Sequence, residues 1–356
     1  MLPMTINEIE TPALLIDLDA LERNIQRMAG CMKGRGAVLR PHFKTHKCPT
    51  ISHRQLDAGA AGITCAKLGE AEVLAAAGVK DILIANQIAD PMKIYRLAGL
   101  ARNGARITVL ADNLENIAVL SRAALEFKTA VHVLVELDAG MKRCGVQTKE
   151  DAYALADRVN ASEGLVFEGL QAYEGHLSHV ADRLARYDGV KKMADMVLQV
   201  KSYLEARGIA VRQVSGGSTG TYDMTGDHTL WTEIQAGSYV FMDRAYEELE
   251  LKFETALTLL VTVIHKRHGM AVTDAGLKVC PSDQGLPAVM GRVGLKVALH
   301  EEHGIISDEK DELGYLEKVR YIPGHCCTMV NAHDRYYGIR GERVEVVWPI
   351  LGRGGW

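Results

Sequence analysis

Arg106-Ile107-Thr108-Val109-Leu110-Ala111 is a short run of β-branched and apolar residues. Behind it Ile117, Leu120, Ala124 and Phe127 recur at helical spacing, and Val131-His132-Val133-Leu134-Val135-Glu136-Leu137 returns to a strand-like run. Strand, helix, strand in that order implies parallel neighbours joined by a right-handed crossover, since a tight hairpin cannot make that connection. The alternation continues outward. Ala37–Arg40, Gly62–Cys65 and Asp81–Ala85 are candidate strands before it, and Val166–Tyr173, Val211–Ser215 and Glu233–Ser238 after it. Leu68, Ala71, Leu74 and Ala75 mark one helical connection, and Val180–Arg207 is charged on one face and apolar on the other. Eight strands match the count of a (β/α)8 barrel, with an open doubly wound sheet as the competitor that counting leaves standing.

After about residue 245 the pattern changes. Thr258–Lys266, Ala271–Asp274, Leu295–Leu299, Glu317–Ile322, Arg335–Ile339 and Arg343–Trp348 read as strands with little helical period between them. Arg340-Gly341 separates two alternating runs, so Tyr336–Trp348 reads as a hairpin. The extended piece Thr11–Leu18 has no barrel partner and is expected to join this second region. The expected division is therefore a barrel over 22–245 and a β-rich domain made of 1–21 plus 246–356. The composition suits such a fold: 47% of the 356 residues are hydrophobic and 24% charged, enough to bury a large core. Lys+Arg total 41 against 45 Asp+Glu, a net charge of −4 with no basic block, which argues against nucleic acid or an anionic membrane as partner.

The N-terminal stretch places Glu8, Glu10, Asp17 and Asp19 ahead of Arg23, the reverse of a secretory leader. The most apolar run, Ala256–Ile264, contains Thr258 and Thr262 and is far short of the ~20 residues that span a bilayer. Seven cysteines are scattered without a CxxC, which reads as a reduced, cytoplasmic protein.

Four motifs carry chemistry. Arg40-Pro41-His42-Phe43-Lys44-Thr45-His46-Lys47 lies at the carboxyl end of the first barrel strand, the face on which barrel enzymes place their sites. A lysine there becomes a Schiff-base nucleophile when neighbouring cations such as Arg40, His42, His46 and Lys47 lower its pKa, and a basic surface loop is the alternative. Ser215-Gly216-Gly217-Ser218-Thr219-Gly220 follows the seventh strand, where glycines let the backbone approach a phosphate and hydroxyls add donors. Glu233–Tyr239 adds a second glycine-containing turn and a phenol, although such turns also serve as plain loops. Asp138–Val146 presents Arg143 between two glycine-containing turns, suited to a phenolate or a carboxylate, or else to a surface ion pair. Pro323-Gly324-His325-Cys326-Cys327-Thr328 offers an H-x-C pair, which on an extended segment puts imidazole and thiolate on one side as ligands for Zn²⁺. Inert buried cysteines are the alternative there. Trp231, Trp348 and Trp356 are expected to pack, and the other histidines show no ligand spacing, with His176 alone near enough to the Tyr173 motif to line a pocket.

Taken together these stretches resemble the fold-type III pyridoxal-phosphate enzymes, whose barrel-plus-β-domain plan is that of alanine racemase. The closer resemblance is to the D-serine dehydratase and D-threonine aldolase family, which includes D-threo-3-hydroxyaspartate dehydratase-like enzymes. Thr11–Asp17, Arg40–Lys47, Asp138–Val146, Leu170–His176, Ser215–Gly220, Gln235–Asp243, Asp274–Lys278 and Gly324–Cys327 carry it, spread over nearly the whole chain in the family's order. The resemblance implies that Lys44 forms the Schiff base with pyridoxal 5'-phosphate. It implies further that Gly217, Ser218, Thr219, Gly220 and Tyr239 hold the phosphate, that Tyr173 sits near the pyridine nitrogen, and that Arg143 lies by the phenolic oxygen. His325 and Cys327 match the family's metal pair, with Zn²⁺ favoured by the thiolate over Mn²⁺ or Mg²⁺.

The activity so implied is a metal-assisted lyase acting on D-3-hydroxy amino acids. Because the family's aldolases resemble an H-x-D pair and its dehydratases an H-x-C pair, the expectation is β-elimination of water to a 2-oxo acid and ammonia. The alternative is retro-aldol cleavage of D-threonine or D-3-hydroxyaspartate to glycine and an aldehyde. A pyridoxal-phosphate carrier without turnover and an alanine-type racemase stand further back. A head-to-tail homodimer in the cytoplasm, with a small D-amino acid as substrate, completes the expectation.

Overall fold

The computed structural model describes residues 5–355. The chain divides into two compact units. One takes Ala29–Lys44 and Ile51–Gly237 with Gly355; the other takes the N-terminal stretch to Met28, Thr45–Thr50 and Ser238–Gly354. Each unit has one sheet, numbered here along the chain. Ala13–Asp17 (β1) opens the β-rich unit. The barrel strands follow as Val38–Leu39 (β2), Ile63–Cys65 (β3), Asp81–Gln87 (β4), Arg106–Ala111 (β5), Val131–Leu137 (β6), Leu165–Ala172 (β7), Gln213–Gly216 (β8) and Glu233–Ile234 (β9).

The eight-stranded sheet runs β2-β9-β8-β7-β6-β5-β4-β3, parallel throughout. A parallel bridge between His42 and Thr64, just beyond β2, closes it into a barrel. The strands are apolar because helices cover them: Val133, Leu134 and Val135 in β6 are fully buried. Leu83, Leu110 and Leu134, from the adjacent strands β4, β5 and β6, pack together, with Leu110 directly opposite Leu134.

A charged belt runs across the barrel strands. Arg40 is 4% exposed and reaches Glu233 at 2.7 Å and Asp81 at 2.8 Å. Arg106 joins Asp81 at 3.6 Å to Glu168 at 2.7 Å, and Glu168 also takes His132 Nδ1 at 2.6 Å. Gly62 makes room for this: a Cβ there would stand 2.1 Å from Arg40 Nη1. Arg40 therefore serves the barrel wall. Its fork of donors is held by the buried carboxylate of Glu233 and the partly exposed one of Asp81.

In the other unit the remaining strands are Leu257–Arg267 (β10), Gly269–Thr273 (β11), Ala288–Val289 (β12), Lys296–Leu299 (β13), Gly304–Asp308 (β14), Lys318–Ile322 (β15), Arg335–Arg340 (β16) and Arg343–Pro349 (β17). β10, β11, β14, β13, β12 and β15 pair in a closed ring, while β1, β16 and β17 extend from β10. β1 pairs antiparallel with β10 and parallel with β16, so the N-terminal extended piece does belong to this unit. β16 and β17 form the expected hairpin. Ile9, Ala13, Leu15, Leu260, Ile339 and Val344 make its core.

The segment carrying His325 and Cys327 departs from expectation. Cys326–Asn331 is a short helix with His325 at its N-cap, not an extended run. The cause is distant in sequence: the buried Asp243 carboxylate accepts the Cys326 N–H at 2.8 Å and fixes the first turn. No helix among the described residues is long and apolar enough to cross a membrane, and all seven cysteines lack disulfides. Trp231 and Trp348 pack in the interior, whereas Trp356 lies outside the described residues.

Candidate active site

At the carboxyl ends of the barrel strands a cavity of about 200 Å³ is lined by Lys44, Asn86, Gln87, Arg143, Gln171, Tyr173 and Gln235 among others. This is the end at which parallel barrels hold ligands. Lys44 sits on the single turn Phe43–Thr45 directly after β2, and its backbone N–H donates to His42 Nδ1 at 3.3 Å. His42 is itself tied to the segment just after β9, its N–H donating to the Ala236 carbonyl at 3.2 Å. The half-buried amine of Lys44 lies 5.9 Å from the centre of the Tyr173 ring, and the Arg143 guanidinium lies 5.9 Å from the same ring. Tyr173 thus has both basic side chains at the outer limit of cation–π contact. Gly175 is required beside it, because a Cβ there would come 2.5 Å from the ring.

The loop bearing Arg143 folds back on β6. Asp138 N–H donates to the Val146 carbonyl at 3.0 Å and Val146 N–H to the Glu136 carbonyl at 2.9 Å, with Gly145 at φ +94° allowing the return. Behind Arg143, at 4.0 Å, is Glu136, which is nearly buried. Burial pushes the Glu136 carboxyl up, and the Gln87 hydrogen bond and the Arg143 charge offset this only in part. Asp112, Glu136 and Cys144 bring ligand atoms within 4.8 Å of one another. They are no cation cage. The Gln87 amide donates to both carboxylates, at 3.2 Å to Asp112, and burial raises the Cys144 thiol too. Gln87, Glu136, Gln171 and Gln235 were not singled out from the sequence; each sits near the carboxyl end of a different strand, and that position is the only signal they carry.

The Ser215–Gly220 loop leaves β8 pressed against the barrel backbone. A Cβ on Gly216 would lie 1.9 Å from the Ala172 carbonyl oxygen, and one on Gly220 1.9 Å from that of Ser178. Gly217 has φ +80°. These contacts fix the shape of a loop that carries the hydroxyls of Ser218 and Thr219, and an amine and an aromatic ring line the neighbouring cavity, so these residues fit pyridoxal phosphate. Gln235 joins cavity and loop, donating to Gln171 at 2.7 Å and to Ser215 at 2.8 Å. The Gly217 N–H points inward to Glu174 at 3.1 Å, so Gly217 supplies loop shape. His176 is exposed and packs on Gly140, outside the set that lines the cavity. Tyr239 belongs to the β-rich unit, buried on the turn Ser238–Val240 and tilted against Phe253 at 5.6 Å.

In the β-rich unit His325 Nδ1 meets Asp283 Oδ2 at 2.7 Å, and Thr328 donates to the other carboxylate oxygen at 2.5 Å. Burial works against the charged imidazole, but the hydrogen bond and charge of Cys327, with those of Asp283, raise His325 to about 9. Burial likewise opposes ionisation of Asp283, and the bonds from Thr328 and His325 reverse this and lower its pKa. Cys327 is half-buried with Thr45 Oγ1 at 3.5 Å from its sulfur, whereas Cys326 is wholly buried. With Nδ1 held by a carboxylate, Nε2 is the imidazole nitrogen left for a ligand role. A nitrogen and a sulfur donor backed by an outer carboxylate form a donor set that fits Zn²⁺. Asp283 lies far from His325 in sequence and no local motif marks it.

Residues 16–245 match the family model of the alanine racemase N-terminal domain, and residues 256–339 match that of a serine dehydratase domain. The chain belongs to the alanine racemase N-terminal domain family. Within it, the chain groups with the D-threonine aldolase and D-serine dehydratase type of fold-type III pyridoxal-phosphate protein. It is 41% identical to 3-hydroxy-D-aspartate aldolase of Paracoccus denitrificans (strain Pd 1222), over 99% of this chain and 94% of that protein. The crystal structure of D-threonine aldolase from Filomicrobium marinum superposes with a TM-score of 0.97 at 38% identity, covering 99% and 98% of the two chains. D-threo-3-hydroxyaspartate dehydratase from Delftia sp. HT23 gives 0.88 at 28%, covering 98% and 99%. A cysteine-to-alanine variant of that dehydratase has been solved in the metal-free form. Pyridoxal phosphate is the cofactor expected of this alanine racemase-type family, and lyase chemistry is common to these relatives.

Proposed function

We propose that this chain is a pyridoxal-phosphate- and metal-dependent aldolase that splits a D-3-hydroxy amino acid, 3-hydroxy-D-aspartate or D-threonine, into glycine and an aldehyde. The observation that supports this branch is the gradient of similarity. Over nearly full length the chain is nearer to an aldolase, at 41% identity, and to an aldolase structure, at a TM-score of 0.97, than to the dehydratase at 28% and 0.88. The expectation of a dehydratase rested on the thiolate of the H-x-C pair. That one ligand is outweighed, since it fixes which metal is preferred more directly than which bond breaks.

In this reading Lys44, the sole primary amine among the cavity-lining residues, carries the cofactor. Arg143 offers its guanidinium to the phenolic oxygen, and Tyr173 offers a phenol to the pyridine nitrogen. Ser218, Thr219 and Gly220 with Tyr239 hold the phosphate. His325 Nε2 and Cys327 Sγ hold the ion, Zn²⁺ by preference. When bound, the cofactor supplies an electron sink and the ion a Lewis acid for the substrate's hydroxyl. The chain's own work is placement. Asp283 holds Nδ1 of His325 so that the ring keeps one orientation, and Glu136 lies behind the guanidinium of Arg143.

Purified protein loaded with pyridoxal phosphate and, separately, Zn²⁺, Mn²⁺ or Mg²⁺ is incubated with D-threonine, D-3-hydroxyaspartate and D-serine. Glycine and aldehyde without ammonia are expected, and a chelator abolishes their formation. Ammonia with a 2-oxo acid moves the assignment to the dehydratase branch, which the Cys327 ligand favours. Cofactor binding with no turnover of any of the three refutes the catalytic reading.

A further inference from the structure

Glu174 follows Tyr173 directly and is wholly buried, yet among the described residues no charged group is bonded to it. Its partners all come from the inner side of the glycine-rich loop and the helix that follows. Oε2 accepts the Gly217 N–H at 3.1 Å; Oε1 accepts the hydroxyls of Thr221 at 2.5 Å and Thr225 at 2.9 Å. Both threonine hydroxyls donate to it. Thr221 has a single hydroxyl proton, and that proton is directed to Glu174. The Ser218 N–H at 3.1 Å and the Ser218 hydroxyl at 3.0 Å therefore both reach Thr221 Oγ1 as donors. A relay runs Ser218 to Thr221 to Glu174 in one direction, between residues that are almost entirely removed from water.

We propose that Glu174, acting through Thr221, is the positioning residue that holds the Ser215–Gly220 loop in its phosphate-ester-binding shape; this rests on the cofactor reading above. The amides of Gly217 and Ser218 are fixed inward. The Ser218 hydroxyl is the group that can exchange its bond to Thr221 for one to an incoming oxyanion, and Thr221 Oγ1 then still keeps the Ser218 N–H as donor. The same carboxylate is one residue from Tyr173, so one short segment sets both the ring that faces Lys44 and the loop beyond it.

The test uses the full chain freed of cofactor, titrated with pyridoxal 5'-phosphate and with pyridoxal, which lacks the phosphate, and followed by absorbance. Thr221→Val removes the relay with little change of volume. It should weaken pyridoxal phosphate binding by about tenfold to a hundredfold, the usual effect of losing a hydrogen bond to a charged group, and leave pyridoxal binding unchanged. Thr221→Ser should restore the wild-type ratio, and Glu174→Ala should reproduce the valine variant. An unchanged ratio in Thr221→Val, or an equal loss for both vitamers, overturns the proposal. If the wild type binds the two vitamers alike, the loop is no phosphate site and the cofactor reading fails along with it.

Discussion

Replacing Arg40 by methionine keeps most of the side-chain volume and removes the charge that joins Glu233 to Asp81. The two carboxylates respond differently. Asp81 is 30% exposed and keeps Arg106 at 3.6 Å, so it rehydrates, and its share of the loss is that of a surface pair, about 1 kcal/mol or less. Glu233 is 3% exposed and is left with the Gln213 amide at 2.9 Å as its side-chain donor. A buried charge stripped of its partner costs about 3–5 kcal/mol. Glu233 therefore dominates, and the expected loss is a large fraction of the ~5–15 kcal/mol that separates folded from unfolded domains. Urea unfolding followed by circular dichroism reads this as a midpoint lowered by about 1 M or more. Adding Glu233→Gln removes the orphaned charge, so the double variant should recover most of the deficit. An Arg40→Met protein within about 1 kcal/mol of wild type, or a double variant no better than the single one, would refute the reasoning.

Other outcomes follow from the site. Lys44→Ala should fold normally but lose the visible colour of the lysine-bound cofactor in an absorbance scan; colour retained in the variant would shift the attachment to another amine. Gly216→Ala brings a methyl to 1.9 Å from the Ala172 carbonyl oxygen, a backbone atom that cannot step aside, so its melting temperature should fall by the equivalent of about 1–3 kcal/mol or more; a melt matching wild type would show that the loop has slack. Burial raises the Glu136 carboxyl, so the folded chain binds a proton there more tightly than the unfolded one. The stability difference between wild type and Glu136→Gln should therefore move against wild type as pH rises from the ordinary carboxylate range through the raised value, and a difference independent of pH would contradict that burial effect.

What the sequence made legible was what repeats locally. Buried parallel strands such as Val131–Leu137 are mostly apolar, and helices with caps such as Asn113 and Thr148 punctuate them, so the barrel shows as alternation. Lys44 was legible through position, being the lysine at the end of the first barrel strand. The β-rich unit was read less completely. Gly304–Asp308 escaped because it ends in an acidic residue, yet Asp308 is fully buried and its carboxylate accepts the amides of Glu312 and Leu313. Ala288–Val289 is too short to show any period. The helix at Cys326 is started by Asp243, and His325 is oriented by Asp283, so both features depend on residues that only folding brings near. Glu174 gave no signal for the same reason: its donors arrive from Gly217, Thr221 and Thr225.

The closing seam of the barrel is thin. β2 and β9 are two residues each, and beyond them the ring is completed by the isolated bridge from His42 to Thr64. Strand pairs of that length hold few cooperative bonds, so transient opening there needs the least free energy of any place around the ring. Lys44 is carried just past that seam. Amide hydrogens of Val38, His42 and Thr64 should trade with deuterated water ahead of those in β5 and β6, and a ligand anchored at Lys44 should slow them most, making this breathing edge the most sensitive reporter of occupancy in the molecule.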